Sequence, residues 1–277
     1  MMSKREPAPV AIFIPHGGLA EPDELVGRHL LTAEQIFNEA DVYAEQLFDF
    51  RGRVKRWHYF PYARALLDVN RPADKYAHHR SGDGVVKWQT SYGAPVYRVV
   101  ERPDDDEEAA LVRKYWGPWD GHLAAAAADG EIKLVVDCHS MAAVGPTQYD
   151  DPAAMRPEIT VCNYGDERGE IYPPRGRITA SGELTRLFAG LLAEAFEGVE
   201  PLVAAEGGVA INRPFWGNWD LIGHAHEGQV WLMIEVNRAL YIGEQSGDSP
   251  IVAADEVLLA DLRERIWRAI EGLVGVL

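Results

Sequence analysis

Cysteine is scarce in this chain. Cys138 and Cys162 are the two cysteines among 277 residues. Two cysteines cannot build the disulfide framework that holds small secreted domains together, and this favours a reducing, cytoplasmic location. We interpret Cys138 as a small buried residue at the end of a strand, because free cysteine behaves as a small hydrophobic side chain.

Positive charge is also in deficit. Lysine and arginine total 27, against 43 aspartates and glutamates, so the formal net charge is −16. A chain of this charge is repelled by nucleic acid and by anionic membrane surfaces, and we expect neither as a partner. A small acidic substrate would need a local cluster of arginines. The acidic run at 104–108 follows Pro103, so we interpret it as the first turn of a helix.

Long apolar runs are missing as well. No stretch approaches the roughly 20 apolar residues that span a bilayer. The first nine residues are polar and charged and lack the apolar core of a signal peptide. The hydrophobic content of 47% is enough for a sizeable core, and we find neither internal repeats nor a flexible linker. We therefore expect one domain over residues 1–277.

Apolar strand-like runs alternate with amphipathic helical patterns. This alternation predicts an α/β protein, a three-layer α/β/α domain with a mostly parallel, mixed sheet. The predicted strands are 10–14, 53–60, 65–69, 132–136, 159–162, 201–205, 209–211 and 229–236. The predicted helices are a short one ending near 39, then 41–50, 104–128, 181–196 and 253–274.

Polar groups follow three of the apolar runs. His16 follows the first, His139 follows 132–136, and Glu235 ends 229–234. The carboxyl ends of parallel strands meet at one edge of a sheet, where ligands bind. Two imidazoles and a carboxylate at that edge would suit a metal hydrolase, with Glu235 as general base and Asp137 orienting an imidazole. The alternatives are structural histidines and a salt bridge from Glu235 to an arginine such as Arg238.

Seven short motifs, in order and nearly end to end, give the chain a recognisable pattern. It resembles the N-formylglutamate amidohydrolase family, which has a zinc-carboxypeptidase-like fold. The motifs are Ile14-Pro15-His16-Gly17-Gly18; Asp41 with Leu47-Phe48-Asp49-Phe50; Asp68-Val69-Asn70-Arg71-Pro72-Ala73-Asp74; Val96-Tyr97-Arg98; Asp137-Cys138-His139-Ser140-Met141; Asn212 with Phe215 and Gly217; and Ile234-Glu235-Val236-Asn237-Arg238 with Tyr241.

The resemblance implies one zinc ion and a role for each residue around it. His16, Asp41 and His139 would be the ligands, and three protein ligands leave the open position that a catalytic zinc needs. Glu235 would be the general base and acid. Glu21 competes with Asp41 for the carboxylate position because it is nearer to His16 in sequence.

The resemblance also implies a substrate clamp. Asn70 and Arg71 would grip a substrate carboxylate, which suits the guanidinium fork. Further candidate contacts are Ser140, Asn212 and Arg98, with Arg213 and Arg238 as additional candidates for a second carboxylate. Ser140 lacks the nucleophile-elbow pattern, so we assign it hydrogen bonding near the substrate instead of attack.

The implied function is zinc-dependent hydrolysis of a small acidic N-formyl or N-acyl amino acid. N-formylglutamate would give formate and glutamate. The alternatives are a carboxypeptidase or N-acyl amino acid deacylase on the same fold, or a non-catalytic binding protein.

The loop at 213–226 departs from the family, because Gly217 is followed by Asn218 where a second glycine is usual. We expect this loop to shape the substrate pocket. Histidines in loops, which we expect to be solvated or in pocket walls, are His78, His79, His224 and His226.

Overall fold

The computed structural model describes residues 6–73, 82–243 and 245–277, and its strands form a six-stranded mixed sheet. The order across the sheet is β2-β1-β3-β6-β4-β5. Strands β2, β1, β3 and β6 run parallel, β4 is antiparallel to β6, and β5 is parallel to β4. The strands are β1 Ala8–Ile14, β2 Val54–Tyr59, β3 Leu134–Met141, β4 Pro157–Cys162, β5 Glu206–Ile211 and β6 Val230–Asn237.

Helices follow most of these strands. In chain order they are α1 Ala33–Glu39, α2 Ala44–Leu47, α3 Asp105–Leu111, α4 Gly117–Ala127, α5 Gly182–Ala195, α6 Trp219–Ile222 and α7 Glu256–Val274. A π-helical turn, Val112–Trp116, joins α3 to α4. Asp104 caps α3 and forms a capping box with Glu107, so the acidic run is a helix start as predicted.

The strands sort their side chains onto two faces. Ile12 and Ile14 of β1 point into one core cluster, which includes residues of α5 and α7. Phe13 points into the other cluster and meets Trp119 of α4 edge-on, with ring centroids 5.6 Å apart. Alternation along a strand covered on both faces explains why these runs are apolar throughout. The predicted three-layer α/β/α architecture is confirmed.

Three predicted elements differ in the structure. Residues 65–69 form turns and a single bridge from Leu67 to Val86. Their apolar side chains are buried in a loop, since Ala65, Leu66 and Leu67 are completely covered. Residues 201–205 are irregular, and the helix expected over 41–50 is reduced to the single turn of α2. For 65–69 burial in a loop gives an apolar run that sequence alone cannot separate from a strand, whereas 201–205 is apolar but partly exposed.

The carboxyl ends of β1, β3 and β6 lie side by side at one edge of the sheet. His139 of β3 pairs with Glu235 of β6, and Glu235 pairs with Thr160 of β4 on its other side. Because β4 runs the opposite way, its beginning lies at this same edge. In the part of the chain that is described, none of the helices has the length and apolarity needed to cross a membrane.

Candidate metal centre and its cavity

His16, Asp41 and His139 converge at the carboxyl edge of the sheet. One nitrogen or oxygen of each lies within 4.8 Å of the others, and all three side chains are buried. The main chain fixes the group, since the Asp41 N–H donates to the His16 carbonyl at 2.9 Å. The loop after His16 needs glycine, because a Cβ on Gly18 would lie 2.1 Å from the backbone of Pro61.

The distances within this group suit a tetrahedral metal. Nδ1 of His139 lies 3.1 Å from Oδ2 of Asp41, and Nδ1 of His16 lies 3.7 Å from the same oxygen. Ligands about 2.0–2.1 Å from a tetrahedral zinc are roughly 3.3 Å apart. Nδ1 of His16 is buried without a hydrogen-bond partner. Two imidazoles, one carboxylate and an unsatisfied ring nitrogen therefore fit the implied zinc ion.

A carboxylate holds the far nitrogen of each imidazole. Nε2 of His16 lies 2.7 Å from Oδ1 of Asp68, and Nε2 of His139 lies 2.8 Å from Oδ1 of Asp137. Such partners fix the ring orientation and leave Nδ1 free to bind a metal. The structure thus places Asp137 where the sequence suggested. The sequence motif contains Asp68 but gives it no role. Its position two residues before Asn70 is a signal that Asp68 lies near the site.

Asp68 is completely buried and remains ionised. Its second oxygen, Oδ2, lies 3.0 Å from Nη2 of Arg64 and 3.3 Å from Nη1 of Arg71. Burial opposes ionisation, but the charges of Arg71, His16 and Arg64 together hold the pKa of Asp68 well below its usual range. Asp41 behaves similarly: burial opposes its ionisation, but the neighbouring imidazoles of His139 and His16 outweigh burial and lower its pKa.

Glu235 faces the same site with a free oxygen. Its side chain is buried, and Oε2 has no hydrogen-bond partner. Burial, which outweighs the opposing charge of His139, raises the pKa of Glu235 to about 7. Among the described residues we find no ion pair between Glu235 and an arginine. Arg238 donates instead to the main-chain oxygens of Asn38 and Ala40. The structure does not support the salt-bridge alternative.

Glu21, the competing candidate for the carboxylate ligand, lies elsewhere. Its Oε2 is 3.0 Å from Nε2 of His29, and its side chain is 35% exposed. Asp41 lies beside the two histidines, where the Ser140 N–H also donates to its Oδ2 at 3.1 Å. The geometry therefore favours Asp41.

Asn70 and Arg71 both line the cavity over this group. The Asn70 amide accepts from the Asp220 N–H at 2.8 Å, and its nitrogen lies 3.2 Å from Nε2 of His139. Asn70 therefore helps to position His139. The Arg71 guanidinium reaches Asp83 at 3.2 Å as well as Asp68. Its charge sits at the cavity wall in a buried, preorganised position.

The remaining candidate contacts fall into two groups. Ser140, Arg213 and Arg238 line the cavity. Asn212 is buried below the loop, with its Nδ2 2.8 Å from Oδ1 of Asn163. Arg98 is a correction, because its side chain is 65% exposed and pairs with Glu101 on the surface. A solvated arginine of this kind does not contact a buried substrate.

The cavity over the candidate ligands has a volume of about 630 Å³. Five arginines line it, and they are Arg64, Arg71, Arg156, Arg213 and Arg238. Arg64 was not singled out from the sequence, although it lies four residues before Asp68. Its Nε is buried without a hydrogen-bond partner.

The loop after β5 forms a wall of this cavity, as predicted. Gly217 has a φ of +121°, and Asn218, at the usual position of a glycine, caps α6 by accepting from the Trp219 N–H. His224 is tied to Asp120 at 2.8 Å and His226 is exposed, so neither is part of the described metal group. His78 and His79 lie outside the described residues.

Comparisons with known proteins agree with this geometry. The family described as N-formylglutamate amidohydrolase matches residues 8–242. The chain belongs to this family. Among solved structures, an N-formylglutamate amidohydrolase from Ralstonia eutropha JMP134 is 18% identical with a TM-score of 0.71, over 99% of this chain and 96% of that one. A gene product of Agrobacterium tumefaciens is 17% identical with a TM-score of 0.58, over 95% and 91%. No curated protein sequence matches significantly.

The N-formylglutamate amidohydrolase family is a family of hydrolases, and this chain is a member of it. The two solved structures support the fold across nearly the whole chain. The family's motifs account for the three candidate ligands and for Glu235. They do not account for Arg64 or Asp220, which reach the site through the folding of the loops.

Proposed function

We propose that this family member is a zinc-dependent hydrolase of N-formyl or N-acyl amino acids. The products would be a carboxylic acid and a free amino acid, which are formate and glutamate for N-formylglutamate. The observation that carries the proposal is the convergence of His16, Asp41 and His139 beside Glu235. Family membership supplies the reaction type.

The residues around the candidate metal site divide the work. His16 and His139 would each hold the ion through Nδ1, and Asp41 would hold it through a carboxylate oxygen. A zinc ion there supplies a Lewis acid that polarises the carbonyl and acidifies a water molecule. Asp68 would keep His16 in the ligating orientation by accepting the proton of its Nε2, and Asp137 lies 2.8 Å from Nε2 of His139, where it would do the same for the second ring.

Glu235 would move the proton. It takes a proton from the attacking water at its free Oε2 and delivers it to the nitrogen of the breaking amide bond. A carboxyl whose pKa is raised by burial is better suited to accept and return a proton near neutral pH than a solvated carboxylate is. This raised pKa, next to candidate metal ligands, favours an enzyme over a binding protein that has lost activity.

Arg71 would bind the substrate carboxylate. Its guanidinium lines the cavity and is fixed from behind by Asp68 and Asp83. A planar fork held in place loses little entropy when it binds a second carboxylate. The Arg71 guanidinium would therefore give the small acidic substrate expected from the sequence a positively charged binding site near the candidate metal ligands.

The test is a comparison of substrates on the metal-loaded protein. N-formylglutamate, N-acetylglutamate and a glutamate-terminated dipeptide are assayed for release of free amine, with and without a chelator. We expect hydrolysis of the N-acyl amino acids that is lost on chelation and restored by zinc. Cleavage of the dipeptide alone would establish a carboxypeptidase instead. Turnover that survives complete removal of metal would refute the zinc-dependent reaction.

A further inference from the structure

The cavity is larger than N-formylglutamate requires. Its volume is about 630 Å³. N-formylglutamate has about a dozen non-hydrogen atoms, whereas cavities of roughly 300–1,000 Å³ hold ligands of drug size. The candidate metal ligands and Arg71 occupy a polar part of this space. The rest of the cavity lining is available to contact a further part of the substrate.

Four aromatic side chains line the remaining space, and we call them the aromatic wall. They are Tyr149, Tyr164, Phe215 and Trp216. The Tyr149 and Phe215 rings meet edge-on at 5.7 Å, and the Tyr164 N–H donates to the Trp216 carbonyl at 2.9 Å. All four are partly exposed, with Trp216 at 37%. A ligand that covered these rings would remove apolar surface from water.

Two arginines contact the aromatic wall, and one of them, Arg156, itself lines the cavity. The Arg156 guanidinium lies 5.3 Å from the Tyr149 ring and 4.8 Å from the Phe215 ring. Arg175 lies 4.3 Å from the Trp216 ring. Arg156 is itself pinned by a bidentate pair with Asp151, at 2.7 and 2.9 Å. The wall is therefore a preorganised surface, which favours specific binding over simple loop packing.

The aromatic wall adjoins the reacting groups. Arg156 lies close enough to Glu235 for its charge to oppose the rise in the pKa of that carboxyl. Thr160, the neighbour of Glu235 across β4 and β6, donates its hydroxyl to the Arg213 carbonyl, at the start of the loop that carries Phe215 and Trp216. A group seated on the wall would thus belong to the same substrate molecule as the amide.

We infer that the substrate is an N-acyl amino acid that carries a large apolar group, preferably aromatic, in addition to its carboxylate. This inference rests on the proposed function. The apolar group can belong to the acyl part or to the amino acid side chain. Either source places a ring against the aromatic wall while Arg71 holds the carboxylate.

The experiment compares three substrates on the zinc-loaded protein. N-formylglutamate carries no ring, N-phenylacetylglutamate carries one on the acyl part, and N-formylphenylalanine carries one on the side chain. We expect kcat/KM for at least one ring-bearing substrate to exceed that for N-formylglutamate by about 10-fold or more. The better of the two identifies the source of the ring.

Two variants attribute the preference to the wall. Trp216→Ala should lower kcat/KM for the preferred ring-bearing substrate, relative to kcat/KM for N-formylglutamate in the same variant, by roughly 3- to 10-fold. The matched control is Tyr172→Ala, because Tyr172 is exposed, also packs against Arg175 at 4.8 Å, and does not line the cavity. This control should leave all three substrates unchanged.

A binding measurement separates this inference from the proposed function. N-benzylglutamate and N-methylglutamate are amines that cannot be hydrolysed. Calorimetry therefore measures how much a ring on the ligand adds to its affinity, without turnover. We expect the benzyl compound to bind several-fold more tightly, and Trp216→Ala to remove the difference. Equal affinities together with N-formylglutamate as the best of the three substrates and no effect of Trp216→Ala would overturn the inference alone. Tight benzyl binding without hydrolysis of any substrate would overturn the proposed function alone.

Discussion

Nε2 of His16 lies 2.7 Å from Oδ1 of Asp68, and neither side chain is exposed to solvent. The other oxygen of the same carboxylate contacts Arg64 and Arg71. One buried carboxylate therefore fixes a candidate metal ligand and the two guanidinium groups nearest to it. The candidate metal site and the candidate carboxylate clamp share a support.

Replacing this support should weaken metal binding. We predict that Asp68→Asn lowers zinc affinity by about 10- to 100-fold, because the amide no longer supplies the charge that orients His16. Competition with a calibrated chelator measures the effect. The matched control is Asp83→Asn, which removes another carboxylate from Arg71 without touching His16. Equal zinc affinity in Asp68→Asn and wild type would contradict the prediction.

The choice of carboxylate ligand can be tested by metal content. We predict that wild type and Glu21→Gln each retain about one zinc ion per chain, whereas Asp41→Asn retains little. The reason is that Asp41 lies beside both imidazoles while Glu21 is paired with His29. Elemental analysis after exhaustive dialysis gives the stoichiometry. Full zinc occupancy in Asp41→Asn would remove Asp41 from the ligand set.

The role of Glu235 separates turnover from metal binding. We predict that Glu235→Gln keeps its zinc but loses roughly 100- to 10,000-fold in kcat, because the amide cannot accept the proton of water. Steady-state kinetics and zinc content are measured on the same preparation. Glu39→Gln is the control, since Glu39 is a buried carboxylate that lines the same cavity and binds Ser91. Wild-type rates in Glu235→Gln would exclude this mechanism.

The carboxylate clamp predicts an effect on substrate binding. Arg71→Gln should raise KM for N-acyl amino acids by about 10- to 100-fold, since a charged hydrogen-bonded pair is lost. Arg71→Lys should recover only part of the loss, because the ammonium group lacks the fork. Arg98→Ala should leave KM unchanged, as Arg98 is exposed and paired with Glu101. An unchanged KM in Arg71→Gln would place the substrate carboxylate elsewhere.

A half-buried imidazole outside the cavity predicts a pH dependence of stability. His58 stacks between Phe13 and His122, and burial lowers its pKa from 6.5 to about 4. Between these two pH values the unfolded chain binds a proton that the folded chain does not, so this group destabilises the fold as pH falls. We predict that His58→Phe loses less stability than wild type between pH 7 and pH 4. Parallel urea titrations measure this, and identical losses would contradict it.

Sequence predicted the parts of the site that follow from strand ends. His16, His139 and Glu235 could be found because the carboxyl ends of parallel strands share an edge. Asp41 follows no strand, so its place came only from the family resemblance. The two approaches together named the group that the structure brings within 4.8 Å.

The parts that sequence missed depend on contacts between distant loops. The Asp220 N–H donates a hydrogen bond to the Asn70 side chain, although the two residues are 150 positions apart. No local sequence pattern predicts such a contact. Arg98 shows the opposite error. It sits in a motif of the family, yet the local chain turns its side chain to solvent. The family motifs place His16, Asp41, His139 and Arg71 around the cavity, whereas the side chain of Arg98 is exposed.

The reversed direction of β4 means that two parts of the sheet supply different sets of cavity-lining residues. The candidate ligands and Glu235 lie on or beside the parallel strands, whereas the aromatic wall is carried by segments that enter or leave β4 and β5. The segments that carry the aromatic wall can change length and sequence without moving the parallel strands that hold the candidate ligands and Glu235. Members of the family could in this way keep the same candidate metal site and Glu235 while their substrate preference changes. Exchanging residues 213–222 between relatives would then transfer a substrate preference without altering the candidate metal ligands.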